Sequence, residues 1–156
     1  RRDVRKNIKS DIKNVVKMIR ANEIYVLGNY MFGLPEDDPD TMRETLQFAV
    51  DLNCEFANFY SVMAYPGSEL YEGALKREGA LPKNWEAFSQ HSYETQPLPS
   101  NYLSSQEILR FRDEAFYRYY TNPAYLDMME SRFGQKVRRH LEQMTNIKIK
   151  RKILDD

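Results

Sequence analysis

Two apolar runs, "IYVLGNYMFGL" at residues 24–34 and "FANFYSVMAY" at 56–65, are joined by one stretch of helical period. Each run is rich in β-branched and aromatic residues and is bounded by turn formers. Near-continuous apolar character of that kind is the mark of strands covered on both faces. Between them, Asp38-Pro39 supplies an N-cap followed by proline at the first helical position. Met42, Leu46, Ala49 and Val50 then recur on one face, which predicts a helix over 39–52. A strand, a helix and a second strand with short connections give parallel strands and a right-handed crossover. This unit sets the fold class as α/β.

The flanks extend the pattern. Ile8, Ile12, Val15, Val16 and Ile19 predict an amphipathic helix over 6–21. After the second strand, Pro66-Gly67 turns the chain and Ser68 can cap a helix that carries Leu70, Tyr71, Ala74 and Leu75 and ends near Gly79. Residues 81–104 read as a loop with one helical turn near Trp85. Ser104 and Glu107 form a capping box ahead of a helix over 105–120, with Ile108, Phe111, Ala115 and Tyr119 on its apolar face. Asn122-Pro123 starts a further helix to 132, and another is expected over 134–144. The tail "NIKIKRKIL" alternates apolar and basic residues, as a short strand or a frayed basic helix would. The chain thus divides into a β-α part, 1–80, and a loop with a helical extension, 81–156.

The 156 residues hold 23 basic and 23 acidic side chains, so no global electrostatic pull on nucleic acid is expected. Basic residues crowd the first twenty positions and the tail, and acidic ones crowd 36–44; both are read as solvated faces. Cys54 is the one cysteine. It excludes an intramolecular disulfide, fits a reducing compartment, and is read as a packed residue rather than a nucleophile. Nothing resembles a signal peptide or a membrane span, so a cytoplasmic setting is expected. The chain lacks an initial Met and opens on a charged helix, which suggests a piece of a longer protein.

Self-sufficient catalysis finds no residues here. His91 and His140 lack metal-ligand spacing, and no nucleophile elbow, phosphate loop or dinucleotide fingerprint occurs. The carboxylates of "PEDDPD" already have a use at a helix N-terminus. What remains is position. In parallel sheets, ligands bind outside the carboxyl ends of the strands. Residues 31–35 and 63–67 end the two strands, and both contain the Gly and Pro that let a backbone turn tightly.

The stretches "GNYMFGLPEDDPDTMRETLQFAVDLN", "FANFYSVMAYPGSELYEGALKREG" and "YLSSQEILRFRDEAFYRYYTNPAYL" resemble, in that order, the second half of radical S-adenosylmethionine enzymes. The likeness is to the cobalamin-binding-domain class, which includes the anaerobic magnesium-protoporphyrin IX monomethyl ester oxidative cyclase. The resemblance implies the last two β-α units of a partial (β/α) barrel, then a C-terminal helical extension. The family's Gly-x-Ile-x-Gly-x-x-Glu pattern aligns with Asn29, Met31, Gly33 and Glu36; the last two match and the first two depart. It implies a cofactor-binding set of Met31, Gly33, Glu36, Met63, Ala64 and Tyr65. Met31 would present an apolar, polarisable face to adenine, and Glu36 would brace the turn by accepting from backbone N–H groups.

The family's Cys-x-x-x-Cys-x-x-Cys cluster motif is absent. The resemblance therefore implies that S-adenosylmethionine and an iron–sulfur cluster serve the parent protein, with the cluster ligands outside this chain, and that cobalamin is a further candidate cofactor. The parent would be an oxidoreductase or methylase acting on a small molecule, with a tetrapyrrole among the candidates, and this piece alone would be inactive. Its partner would be the N-terminal half of the parent, and an exposed strand edge would let the piece form a homodimer. A second reading keeps the same loops in a non-catalytic domain that binds a small ligand or a partner. The aromatic residues near Trp85 and at 116–120 are expected to pack between helices, with covering of the barrel or contact with substrate as the alternative.

Overall fold

The computed structural model describes residues 11–77 and 81–154. Six α-helices lie among them: α1 (Ile12–Ala21), α2 (Pro39–Leu52), α3 (Glu69–Ala74), α4 (Ser105–Tyr120), α5 (Pro123–Phe133) and α6 (Gln135–Thr145). The strands β1 (Leu27–Phe32) and β2 (Phe56–Ser61) pair in parallel, with Leu27 opposite Phe56 and Phe32 opposite Ser61. The mixed α/β class and the parallel crossover agree with expectation. A two-stranded parallel sheet is common to barrels and open sheets.

Local chemistry explains the helix boundaries. Asp38 accepts from the N–H groups of Asp40 and Thr41, and Thr41 Oγ1 answers the Asp38 N–H, so α2 begins at Pro39. Ser104 and Glu107 form the same reciprocal box at α4. Asp11 caps α1; the expected helical residues 6–10 lie outside the described residues, as does Gly79. The helix after Ser68 ends at Ala74, and a turn follows. Near Trp85 a 3-10 turn forms at Glu86–Phe88. The tail is neither strand nor helix up to a turn after Arg151.

The main core lies between one face of the sheet and the helices. Tyr30, Phe32, Ala57 and Phe59 pack with Met42, Leu46 and Ala49 of α2, and with Ile108, Ala115 and Tyr119 of α4. Among the described residues the other face is open: Leu27, Met31 and Phe56 are exposed there. The expectation of strands covered on both faces is thus corrected, because burial alternates along both strands. Period-two alternation was masked because both faces carry apolar residues.

The outer edge of β2 is closed by side chains in place of a third strand. Tyr120 Oη accepts from the Ala57 N–H and donates to the Ala57 C=O, at 3.2 and 2.7 Å. Arg112 Nε donates to the Phe59 C=O at 2.7 Å. The Gln90 amide accepts from the Ser61 N–H and donates to the Ser61 C=O. Tyr119 and Tyr125 add hydroxyl bonds to the carbonyls of Cys54 and Glu55. Tyr119 and Tyr120 are therefore helix-packing core with their polar tips on β2 and its approach, Tyr117 donates instead to the Ile147 C=O of the tail, and Trp85 is exposed. Among the described residues, the unpaired edge belongs to β1.

Gly33 ends β1 at φ +85°, and a Cβ there would lie 2.7 Å from Ile108 Cγ2. Both the backbone angle and the close passage of α4 require glycine. Gly33→Ala is expected to lower unfolding stability by about 2–4 kcal/mol in urea titration, from overpacking plus left-handed strain.

Candidate functional site

The carboxyl ends of β1 and β2 lie side by side, since the Val62 N–H donates to the Phe32 C=O at 2.9 Å. The two segments singled out by position, 31–35 and 63–67, therefore meet at one end of the sheet. Parallel pairing causes this; antiparallel strands would have placed them at opposite ends.

Segment 98–103 roofs this end. The Leu98 N–H donates to the Val62 C=O, the Asn101 N–H to the Pro35 C=O, and Ser100 Oγ to the Asp37 C=O, all at 2.8–2.9 Å. Leu34, Val62, Ala64, Ala74 and Leu98 form a small apolar cluster beneath it.

The six residues of the implied cofactor set have different settings. Met31 stands on the open face with 43% of its surface exposed. Gly33 is buried under α4. Met63 and Ala64 are buried, and neither their N–H nor their C=O groups find a partner among the described residues. Tyr65 is half-exposed, stacks on Phe88 with centroids 6.1 Å apart, and donates its hydroxyl to the Phe88 C=O.

Glu36 is exposed, and here one expectation is corrected. The carboxylate that braces the turn belongs to Asp37. Its Oδ2 accepts from the Gly33 and Leu34 N–H groups at 3.1 and 3.0 Å, and its Oδ1 accepts from Thr41 Oγ1. The family pattern pointed one residue too early; the direction in which each carboxylate turns depends on the tight turn at Gly33, which local composition does not reveal. Asp37→Ala is expected to cost about 2–4 kcal/mol, because it leaves two buried N–H groups without an acceptor. Glu36→Ala is expected to stay within about 0.5 kcal/mol of wild type. Equal losses in chemical denaturation of the two variants would contradict this assignment.

Asp38 lies below the usual carboxylate range because the Thr41 and Asp40 N–H groups favour its charged form. That capping role accounts for one of the acidic residues in "PEDDPD". Burial pushes the Cys54 thiol up, which keeps it protonated. Among the described residues, no group of three His, Cys, Asp or Glu side chains converges as a metal site would require. No described helix is long and apolar enough to cross a membrane.

No known family model matches the chain. An uncharacterised methyltransferase of Pyrococcus horikoshii is similar to it, at 24% identity over 113 residues. The match covers 72% of this chain and 24% of the relative, so the chain spans about a quarter of that relative's length.

Proposed function

We propose that the chain is the C-terminal part of an iron–sulfur radical S-adenosylmethionine enzyme that transfers a methyl group. In this reading, β1 and β2 are the last two strands of its partial barrel. Their joined carboxyl ends wall the adenine side of the cofactor. One observation carries the reading: the unpaired backbone of Met63 and Ala64 lies at the same sheet end as the exposed thioether of Met31. An adenine edge needs one donor and one acceptor, and its face needs an apolar, polarisable surface; this strand end offers both. The similarity to a methyltransferase favours methyl transfer over ring cyclisation.

S-adenosylmethionine supplies the transferable methyl group and, beside a reduced cluster, one-electron chemistry. This chain's residues would orient the adenine and keep that end of the sheet closed to water. Asp37 fixes the turn that follows β1, and the Leu98 N–H of the roof holds the Val62 C=O at the end of β2. A single cysteine, buried in the core, does not fit as a cluster ligand set, so those thiolates are assigned to the parent's other segments. Cobalamin stays outside the proposal, because no described residue bears on it.

The test is anaerobic reconstitution of the parent protein with iron and sulfide, followed by an assay for 5′-deoxyadenosine and by equilibrium dialysis with S-adenosylmethionine. Met31→Asp is expected to weaken dialysis binding about tenfold or more by placing a charge against the purine face. A parent without three closely spaced cysteines, or one that binds no S-adenosylmethionine, would overturn the reading in favour of a non-catalytic binding domain.

A further inference from the structure

A concavity lies away from the strand ends. It is a cavity of about 190 Å³ between α4 and the tail that follows α6. Its floor is apolar and aromatic: Phe116, Tyr117, Met144, Ile147 and Ile149 line it. At its polar end stand His91, Arg112 and Asp113.

The charges at that end are unevenly used. Asp113 is already engaged: Arg112 and Arg151 each donate to its Oδ1, and Arg151 also donates to its Oδ2. Arg151 also donates through Nη1 to the Ser92 C=O and to Thr95 Oγ1. Arg112 is different. Its side chain is 94% buried, its Nε binds the Phe59 C=O and its Nη1 binds Asp113, yet its Nη2 has no partner among the described residues. That nitrogen is also not sealed from solvent, since the one sealed and unpartnered side-chain atom among the described residues is Tyr30 Oη. Two arginines against one aspartate leave a net positive charge beside an apolar floor. His91 does not cancel it: burial and the neighbouring arginines lower its pKa, so it is neutral at pH 7 and can donate or accept.

We infer that this cavity is a binding site for a small amphipathic monoanion, a carboxylate with a compact apolar body. The Nη2 of Arg112 takes the carboxylate, and the body lies on Phe116, Met144 and the tail isoleucines. A charge-assisted bond in a mostly apolar cavity is the common design of small-ligand sites. A neutral analogue leaves the guanidinium without its counter-charge. A dianion's second charge finds no further cation among the residues that line the cavity. This site is independent of the reading proposed above, because it uses none of the strand-end residues.

The experiment uses the 156-residue chain with 3-phenylpropanoate as the probe and its neutral amide as the control. Binding is followed by NMR of isotopically labelled isoleucine methyls. Saturable shifts at Ile147 and Ile149 are expected, with the acid bound about tenfold more tightly than the amide. Ile149→Trp changes a solvent-exposed tail residue, so the fold is kept, and it is expected to abolish the shifts by filling the cavity. Arg112→Lys keeps the charge but loses the fork, and it is expected to lower affinity several-fold. Equal affinity for acid and amide, no saturable shift, or unchanged binding in Ile149→Trp would each overturn the assignment.

Discussion

Glu55→Gln is expected to destabilise the protein by about 3 kcal/mol, measured as a lower urea midpoint at pH 7. Glu55 is 0% exposed and sits at the amino end of the sheet. Its Oε1 takes Arg20 of α1 at 3.1 Å and Arg132 of α5 at 2.8 Å. Its Oε2 accepts from the Val26 N–H at 2.9 Å, just before β1. One carboxylate thus ties two helices and a strand. Glutamine keeps the shape but turns one acceptor into a donor that faces guanidinium groups.

The same residue predicts a pH dependence. Burial alone would raise the Glu55 pKa, but the Val26 N–H and Arg20 outweigh it and hold the carboxyl below its usual range. A depressed folded pKa means the contribution is complete above the unfolded value of about 4.3 and is lost as pH falls through the folded value. Glutamine mimics the protonated acid. The stability gap between wild type and Glu55→Gln should therefore be constant above about pH 5 and close on acidification. A gap that persisted at low pH would show that shape, not charge, is at stake.

The second large effect is expected at Arg151, in the tail. It is 1% exposed, and its Nε and Nη2 bind the two oxygens of Asp113 at 2.9 and 3.0 Å. Its Nη1 binds the Ser92 C=O and Thr95 Oγ1, both at 3.0 Å. Arg151→Ala leaves Asp113 short of its buried partner and frees the segment that walls the α4 cavity. A loss of about 3–5 kcal/mol is expected, together with faster tryptic cleavage at Lys148 and Lys150. Arg151→Lys should recover little, because an ammonium cannot span the two carboxylate oxygens and the two other acceptors at once. Lys150→Ala, at an exposed position, should leave the urea midpoint and the rate of cleavage at Lys148 unchanged.

These predictions mark where sequence reading reached and where it stopped. The starts of α2 and α4 were legible because capping is local: Asp38 answers to Thr41, and Ser104 to Glu107, within three residues. Parallel pairing was legible because a helix between two strands leaves few other topologies. Arg151 was read as part of a solvated basic tail. Its partner Asp113 is 38 residues earlier, and no spacing rule connects them. Glu55 carried no signal for the same reason: its partners come from α1, α5 and the approach to β1.

At the strand ends the division is finer. Sequence placed Met31, Gly33, Met63, Ala64 and Tyr65 at the carboxyl ends of two strands, and parallel pairing brought those ends together. It did not show that Gly33 is required by Ile108, 75 positions later, nor that Asp37 rather than Glu36 turns inward. Nor could it show that β2 ends its sheet with side chains, while β1 keeps a free edge and an open face. By itself the sequence determined what depends on neighbours within a turn or two of chain: caps, periods, strand direction. Only the tertiary structure decided which charges are buried, which edge is closed and where the cavities lie, because each of those follows from contacts between residues far apart in sequence.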